Sequence, residues 1–470
     1  MQTILAILTI FFLQFTDKVG SERVCLSELA MQMREQRGIV IDSMDYEVSP
    51  IYLDSVRAMG ARILHTSRWL NGATIELPMD AILPVEQCDF IDTMYVTREE
   101  GTNLICSSIS LRKKVMVDSI PLDIPSVTTE QHVIYNLLPL HQIGYKGQGI
   151  RIGLADGGFY NADSLSALPR EKWLGYADFT DDTDDFFGTT GNHGTLCLTT
   201  IMAQTENYEG SATEAKYFLF RTEEHYTESP KEIDNWVAAI EMADSLGLHI
   251  VSTSLGYTTF DNQSFNFAYE DMNGHTSRGA QAAIIAARKG MLLVMAIGND
   301  GNNAWHYLST PADADSILTV GAVDIAGDIA NFSSYGPSAD GRVKPEVCAV
   351  GKQTSLLNPS NEAVQQGNGT SFACPLLAGM AACLWSALPN ATNMEIRERI
   401  IRSANRYAQP HEQYGYGIPN AWKAYTMEAM DDLSPIVKES LHNKIIQNGR
   451  LYILLHNEYI YDILGNKIAE

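Results

Sequence analysis

The sequence predicts an α/β fold, a doubly wound and mostly parallel sheet, preceded by a small α+β domain. Several short, nearly all-apolar runs end in polar residues, which is typical of parallel strands buried on both faces; they are "GIRIGLAD", "HIVSTSL", "MLLVMAIGN" and "ILTVGAVD". Amphipathic helical segments that end at glycine lie between these runs, including "KEIDNWVAAIEMADSLG" and "SRGAQAAIIAARKG". Sites in such sheets form at the carboxyl ends of the strands.

Size and charge limit the classes of protein that the chain can represent. Its 470 residues allow one large domain with smaller attachments. The formal charge of −24 at pH 7 argues against nucleic acid and anionic membranes as partners. The seven cysteines, an odd number, form no CxxC pair, so their spacing predicts neither a zinc site nor a disulfide framework.

The first 21 residues predict a signal peptide. Their apolar core, from Thr3 to Phe15, gives a helix of about 20 Å, which is too short for a hydrocarbon core of about 30 Å. Val19, Gly20 and Ser21 offer a cleavage site. We therefore expect an exported protein that is secreted, periplasmic or attached to the cell surface.

The remaining chain divides by composition into four parts. Residues 22–112 alternate helical and strand patterns and predict the small α+β domain. Residues 113–127 have the character of a linker, and residues 128–428 carry the pattern of the large α/β domain. Residues 436–470 predict short β-strands with turns at Asn448–Gly449 and Gly465–Asn466.

The segment "GNGTSFACPLLAGMAACLW", residues 367–385, predicts a buried helix that begins near Thr370. The apolar run from Phe372 to Leu388 approaches the length of a membrane span, but no Lys or Arg flanks it closely. Pro375 lies near the start, where a helix tolerates proline. We therefore expect no membrane span. Ser371 would lie at the helix N-terminus, either as a cap or where the helix dipole favours a developing negative charge.

Three more polar residues follow or begin predicted elements. Asp156 ends one apolar strand, Asn299 follows another, and His193 begins an apolar helical run. Each alone is explained by a turn or a cap. Together, the order Asp156, His193, Ser371 matches one of the known chain orders of Ser-His-Asp hydrolases, so we interpret Ser371 as a nucleophile.

These residues give the chain a resemblance to the subtilisin-like (subtilase) serine peptidases over roughly residues 128–428. "SLG", residues 254–256, resembles the substrate-binding strand of the family, and "NFSSYGPSADGRVKPEV" and "YGYGIPNAWKAY" look like segments of its bacterial members. The resemblance implies a catalytic triad of Asp156, His193 and Ser371, an oxyanion hole at Asn299, and substrate binding by Ser254, Leu255 and Gly256.

The same resemblance implies a function. We expect a secreted serine endopeptidase that hydrolyses peptide bonds through an acyl-enzyme and is made as a zymogen. Its partners would be protein or peptide substrates and its own propeptide, because residues 22–112 resemble the ferredoxin-like inhibitory propeptide of the family. The chemistry requires no cofactor. The segment "YIYDILGNKI" resembles the end of a bacterial secretion-sorting domain; a hairpin packed on the large domain is the alternative.

Two departures from the family pattern involve cysteine. Leu196, Cys197 and Leu198 stand where the family often has His-Val-Ala, and Cys374 replaces a more frequent serine or alanine. Neither change removes a group that transfers protons in the mechanism.

Structural calcium is an open question at the sequence level. The run "DFTDDTDDFFG" holds five aspartates between residues 178 and 185, which could bind calcium or form a solvated loop. We assign no metal ligand.

Three other classes of protein fit less well. A non-catalytic binding module of the same fold would normally lack a triad residue, and none is missing. A dinucleotide-binding dehydrogenase needs GxGxxG after a strand, whereas Gly147 and Gly149 precede the strand. An α/β-hydrolase esterase needs GxSxG and the order Ser, acid, His.

Overall fold

The computed structural model describes residues 8–99, 127–180, 185–188 and 191–427, together with four short strands near the C-terminus. Two compact units divide the chain, residues 1–425 and residues 426–470. The first unit contains the small N-terminal domain and the large α/β domain.

The N-terminal domain combines a four-stranded antiparallel sheet with three helices. Its strands are β1 (Leu8–Phe15), β2 (Arg62–Ser67), β3 (Gly72–Pro78) and β4 (Ile91–Glu99), and its helices are α1 (Glu28–Gln36), α2 (Pro50–Ala58) and α3 (Ile82–Glu86). The spatial order is β2-β3-β1-β4. This is the βαββαβ arrangement of a ferredoxin-like domain, as the sequence predicts.

The prediction of a signal peptide over residues 1–21 is wrong, because part of that segment is an inner strand of the sheet. Strand β1 pairs with β3 on one side and with β4 on the other. Phe11 and Leu13 pack into the core of the N-terminal domain, while Phe12 belongs to a cluster shared with the large domain. Removal of residues 1–21 would take the only described strand partner from β4.

The large domain contains a seven-stranded parallel sheet, which confirms the predicted α/β class. The strands are β5 (Arg151–Asp156), β6 (Trp173–Asp178), β7 (Lys216–Arg221), β8 (Ile250–Thr253), β9 (Leu292–Ala296), β10 (Leu318–Val323) and β11 (Val347–Val350). Their spatial order is β11-β10-β9-β8-β5-β7-β6, and every neighbouring pair is parallel. A two-stranded hairpin, β12 (Thr354–Leu357) and β13 (Val364–Gly367), follows.

Helices cover the parallel sheet. They are α4 (Thr129–Val133), α5 (Leu138–Gln142), α6 (His193–Met202), α7 (Lys231–Ser245), α8 (Arg278–Arg288), α9 (Thr370–Ala387), α10 (Asn393–Ser403) and α11 (Ala421–Thr426). The predicted helix start at Thr370 is confirmed. Within the described residues, α9 alone has the length and hydropathy of a membrane span, and 89% of that apolar window is buried in the structure.

A buried network of charges joins the N-terminal domain to helix α7. Asp244 of α7 accepts hydrogen bonds from Arg34 at 2.7 Å and from Arg68 at 2.6 Å. Glu241, one turn earlier, accepts from the Ser67 hydroxyl and the Arg68 backbone N–H. Arg34, Arg68, Glu241 and Asp244 are each at most 6% exposed. Oppositely charged groups thus offset the cost of burial at this interface.

Residues 426–470 form the second unit, described here by itself. Strands β14 (Lys444–Gln447), β15 (Arg450–Leu455), β16 (Tyr459–Tyr461) and β17 (Lys467–Ala469) form an antiparallel sheet in chain order. The predicted turns at Asn448–Gly449 and Gly465–Asn466, and the linker up to residue 126, lie outside the described residues.

Candidate active site

The predicted site residues gather at one edge of the parallel sheet. Strands β5, β8 and β9 are neighbours, and their carboxyl ends lead to Asp156, Ser254 and Asn299. The N-termini of α6 and α9 bring His193 and Ser371 to the same edge. Five positions that are far apart in the sequence therefore meet where a parallel sheet presents its sites.

Asp156 and His193 form a direct hydrogen bond. His193 Nδ1 lies 2.8 Å from Asp156 Oδ1, and the carboxylate also accepts from the Gly157 N–H at 2.8 Å. Asp156 is only 1% exposed, whereas 37% of the imidazole is exposed. Gly194 permits this approach, since a Cβ there would lie 2.9 Å from the Cβ of Asp156 and 2.6 Å from a backbone oxygen. The start of α6 can therefore pack directly on the end of β5.

The carboxylate determines the protonation of the imidazole. Burial acts to lower the pKa of His193, but the neighbouring Asp156 charge and hydrogen bond outweigh it, and the pKa lies well above its usual value. Cys197 also lies near the ring; burial raises the pKa of its thiol, which is therefore neutral near pH 7. We attribute the raised pKa of His193 to Asp156.

Ser371 occupies the first turn of α9 and is 7% exposed. Its hydroxyl donates to the Ser254 carbonyl at 3.4 Å, and the Ser254 hydroxyl donates to the Ser371 carbonyl at 2.8 Å. The Cys197 thiol donates to the same Ser371 carbonyl at 3.2 Å and lies 3.9 Å from His193 Nδ1. Cys197 thus connects the imidazole to the backbone of the predicted nucleophile.

Asn299 is oriented by the residue that precedes Ser371. Its Oδ1 accepts from the Thr370 backbone N–H at 2.9 Å and from the Thr370 hydroxyl at 3.1 Å. The Thr370 hydroxyl also lies 3.2 Å from the Gly298 carbonyl. Because the two ends of a carboxamide point in different directions, this bonding directs Asn299 Nδ2 away from Thr370. An amide donor beside a helix N-terminus is suited to stabilise an oxyanion.

The segment Ser254–Leu255–Gly256 continues from β8 past Ser371. The next residue, Tyr257, pairs with Thr310, so the segment runs beside the loop that contains Ser309. Ser309 is 6% exposed, and any Cβ at Gly256 would collide with its hydroxyl. The exposed backbone of Gly256 therefore has Ser309 directly behind it.

The aspartate run at residues 178–185 is only partly described, since residues 181–184 lie outside the described part of the chain. Asp178 makes a 2.7 Å ion pair with Arg221, and Asp185 accepts from the Phe187 N–H at 3.3 Å. A calcium site in this run stays a prediction.

This edge of the sheet combines an aspartate, a histidine, a helix-terminal serine and an amide donor, the set of groups used by serine hydrolases. The subtilase family model matches residues 147–417, which is more than half of the chain, and the chain belongs to that family. A Bacteroidota peptidase S8 propeptide domain matches residues 11–111, which include most of β1. The protein is a subtilisin-like serine endopeptidase that carries a propeptide.

Relatives that are similar in sequence to this chain include subtilisins and alkaline proteases. Subtilisin DY of Bacillus licheniformis is 30% identical over 279 residues, which are 59% of this chain and 91% of the relative. A thermostable alkaline protease of Halalkalibacterium halodurans is 28% identical over 65% of this chain and 73% of the relative. Alkaline elastase YaB of a Bacillus species is 28% identical over 63% of this chain and 71% of the relative.

Sequence reasoning missed two residues that shape the site, Thr370 and Ser309. Thr370 is 71 residues from Asn299 in the chain, so no local pattern signals their hydrogen bonds. Ser309 lies in a loop without a motif. For Cys197, the departure from the family pattern was a visible signal, but its contacts were not.

Proposed function

We propose that Ser371, His193 and Asp156 hydrolyse peptide bonds through an acyl-enzyme. The hydrogen bond between Asp156 and His193, beside Ser371 at the start of α9, is the observation that carries this proposal. The order of the three residues is typical of the family. The triad uses only groups of the chain, so the chemistry needs no cofactor.

Each residue has a distinct task in this mechanism. His193 Nε2 accepts the proton of the Ser371 hydroxyl as its oxygen attacks the substrate carbonyl, and the imidazolium later protonates the leaving amine. Asp156 holds the Nδ1–H tautomer and stabilises the imidazolium. In the structure the Ser371 hydroxyl donates to the Ser254 carbonyl, and in this mechanism it donates to His193 Nε2 instead. The Asn299 amide and the Ser371 N–H stabilise the oxyanion.

Substrate binding and inhibition use the surfaces beside the triad. We propose that a peptide substrate pairs with the backbone of Ser254–Leu255–Gly256 as an added strand. The N-terminal domain acts as the inhibitor until it is removed, and the family match to a propeptide supports this role.

The enzyme acts outside the cytoplasm in this proposal. The bacterial subtilisins to which it is related are typically secreted. Association of residues 436–470 with a secretion-sorting function remains a prediction from their sequence.

The test compares the full chain with its Ser371→Ala variant. Both are purified, followed on a denaturing gel and treated with a fluorophosphonate probe that labels active serine nucleophiles. The wild type should lose about 12 kDa, the mass of the roughly 110 residues that precede the large domain, and take up the probe, while Ser371→Ala should do neither. Labelling of Ser371→Ala by the probe would place the nucleophile elsewhere.

A further inference from the structure

Cys197 is a buried thiol that peptide hydrolysis does not use. It is 1% exposed, and its Sγ lies 3.9 Å from His193 Nδ1. Asp156 Oδ1 approaches the same ring nitrogen to 2.8 Å. The three side chains each offer one donor atom, and these atoms all lie within 4.8 Å of one another. A sulfur, a nitrogen and an oxygen atom that can each bind a metal ion thus lie close together on the buried side of the imidazole.

Thiolate, imidazole and carboxylate are the three ligand types that zinc takes in proteins. Tetrahedral zinc with ordinary bond lengths would separate sulfur and nitrogen by about 3.5 Å, and nitrogen and oxygen by about 3.4 Å. The corresponding distances here are 3.9 Å and 2.8 Å. Shifts of about half an ångström in these atoms would therefore bring both distances to the values expected for zinc. Calcium and magnesium prefer oxygen ligands and fit this set poorly.

The charges of the ligands match a divalent ion. One thiolate and one carboxylate carry two negative charges, and a neutral imidazole adds none. The complex with Zn²⁺ is therefore neutral, which limits the cost of placing a cation beside the buried Asp156 and Cys197. The imidazole, 37% exposed, is the part of the site that faces solvent and gives the ion a path of entry.

We propose that Asp156, His193 and Cys197 form an inhibitory site for zinc or a similar soft divalent cation. The ion bonds to the Nδ1 lone pair, the Nδ1 proton is lost to solvent, and a solvent proton is held at Nε2. The Cys197 thiol releases its proton to solvent as the metal–sulfur bond forms, so one proton is released in total from the neutral site.

The consequence for catalysis is a block of the general base. Nε2 is protonated and cannot accept the proton of the Ser371 hydroxyl, and Asp156 is engaged by the metal instead of the ring. This inhibitory consequence rests on the catalytic roles proposed above, whereas binding of the ion does not.

Binding is tested in the full chain carrying Ser371→Ala, which removes self-cleavage. Co²⁺ serves as the spectroscopic probe because a cobalt–thiolate bond gives a near-ultraviolet charge-transfer band, and Zn²⁺ should displace it. We expect one ion per chain with the band present. The band should vanish when Cys197→Ser is added and persist when Cys374→Ser, a change at another buried thiol, is added. Absence of the band from the parent chain, or its survival in Cys197→Ser, overturns the proposal.

Inhibition is tested in the active enzyme by titration with Zn²⁺, each variant being compared with its own zinc-free activity. Zinc should inhibit the wild type and Cys374→Ser, a chelator should restore activity, and Cys197→Val should need at least tenfold more zinc. Inhibition should tighten by about tenfold or more per pH unit, since metal binding releases protons. Calcium should not inhibit. Binding without inhibition, or equal sensitivity of Cys197→Val, overturns the proposal; a chain without peptidase activity would still give the cobalt result.

Discussion

At the residue scale, the orientation of Asn299 depends on Thr370. Both donors of Thr370, the backbone N–H and the hydroxyl, reach Asn299 Oδ1. Thr370 also directly precedes Ser371 in the chain, so the same residue positions both the nucleophile and the Asn299 amide. The Asn299 amide is thereby oriented before substrate binds, which is the condition for effective electrostatic stabilisation.

Thr370→Val should lower kcat about three- to tenfold with little change in KM, because it removes one hydrogen bond worth about 1 kcal/mol and leaves the backbone donor. Asn299→Leu should lower kcat by about 10²–10³, a magnitude measured for the oxyanion asparagine of a subtilisin. Steady-state kinetics check both, with Thr370→Ser as the control that keeps the hydroxyl. If Thr370→Val costs as much in the Asn299→Leu background as alone, Thr370 does not act through Asn299.

The pH profile should report the raised pKa of His193. Since catalysis needs the neutral imidazole, kcat/KM should fall as the pH decreases through that pKa, at a pH above the ordinary value of about 6.5 for histidine. Asp156→Asn removes the negative charge, so it should move this acid limb to lower pH and reduce kcat by about 10⁴, as in other triads. An acid limb that stays in place in Asp156→Asn would contradict the assignment.

At the element scale, β1 shows why a run of apolar residues is ambiguous. Alternate side chains of β1 face two different cores: Phe11, Leu13 and Phe15 pack on the helices of the N-terminal domain, and Phe12 packs toward the large domain. The guanidinium of Arg278, at the start of α8, lies 4.9 Å from the Phe12 ring. A strand buried on both faces loses the polar alternation of a surface strand.

Leu13→Asp should prevent refolding of the purified full chain to active enzyme, because it places a charge at a side chain with 0% exposure, at a cost on the order of several kcal/mol. Val19→Asp is the matched control, since Val19 is 51% exposed and lies in the same 21 residues. Recovered activity after refolding is the measurement. Export plays no part in refolding, so equal recovery of the two variants would mean that β1 is dispensable.

At the scale of the whole molecule, the two domains of residues 1–425 are joined by buried charges as well as apolar contacts. Lys289, after α8, makes a 2.8 Å contact with the buried Asp45 of the N-terminal domain and another with Asp42, whose side chain is 53% exposed. Arg34 contacts Asp45 at 3.0 Å. Asp45 is thus held by two cations. Each buried charge is neutralised by an oppositely charged side chain from another segment. Removal of one side chain therefore leaves its partner as an unpaired buried charge.

Arg68→Ala in the full chain should weaken binding of the processed propeptide to the enzyme by about 10²–10⁴-fold, because breaking one member of a buried ion pair costs about 3–5 kcal/mol. Activity recovered on dilution of the processed complex measures this. Arg57→Ala is the control, since its ion pair with Asp54 is exposed and should contribute little. Similar dilution curves for the two variants would show that the buried network does not control the inhibitor.

The sequence by itself determined the α/β class, the buried helix that begins at Thr370, and the placement of Asp156, His193, Ser371 and Asn299 at the ends of elements. Periodicity and glycine placement are local properties, and each of these inferences used only a short window of sequence. The class of chemistry followed from the chain order Asp156, His193, Ser371 and from the resemblance to the subtilases that these residues carry.

The tertiary structure alone decided which residues touch. Cys197 contacts the Ser371 carbonyl across 174 positions, and Thr370 fixes Asn299 across 71. It also decided that residues 8–15 form an inner strand, since an uncharged apolar run has the same composition in a signal peptide and in a strand covered on both faces. The partner that covers a strand lies elsewhere in the chain, so only the folded molecule distinguishes the two.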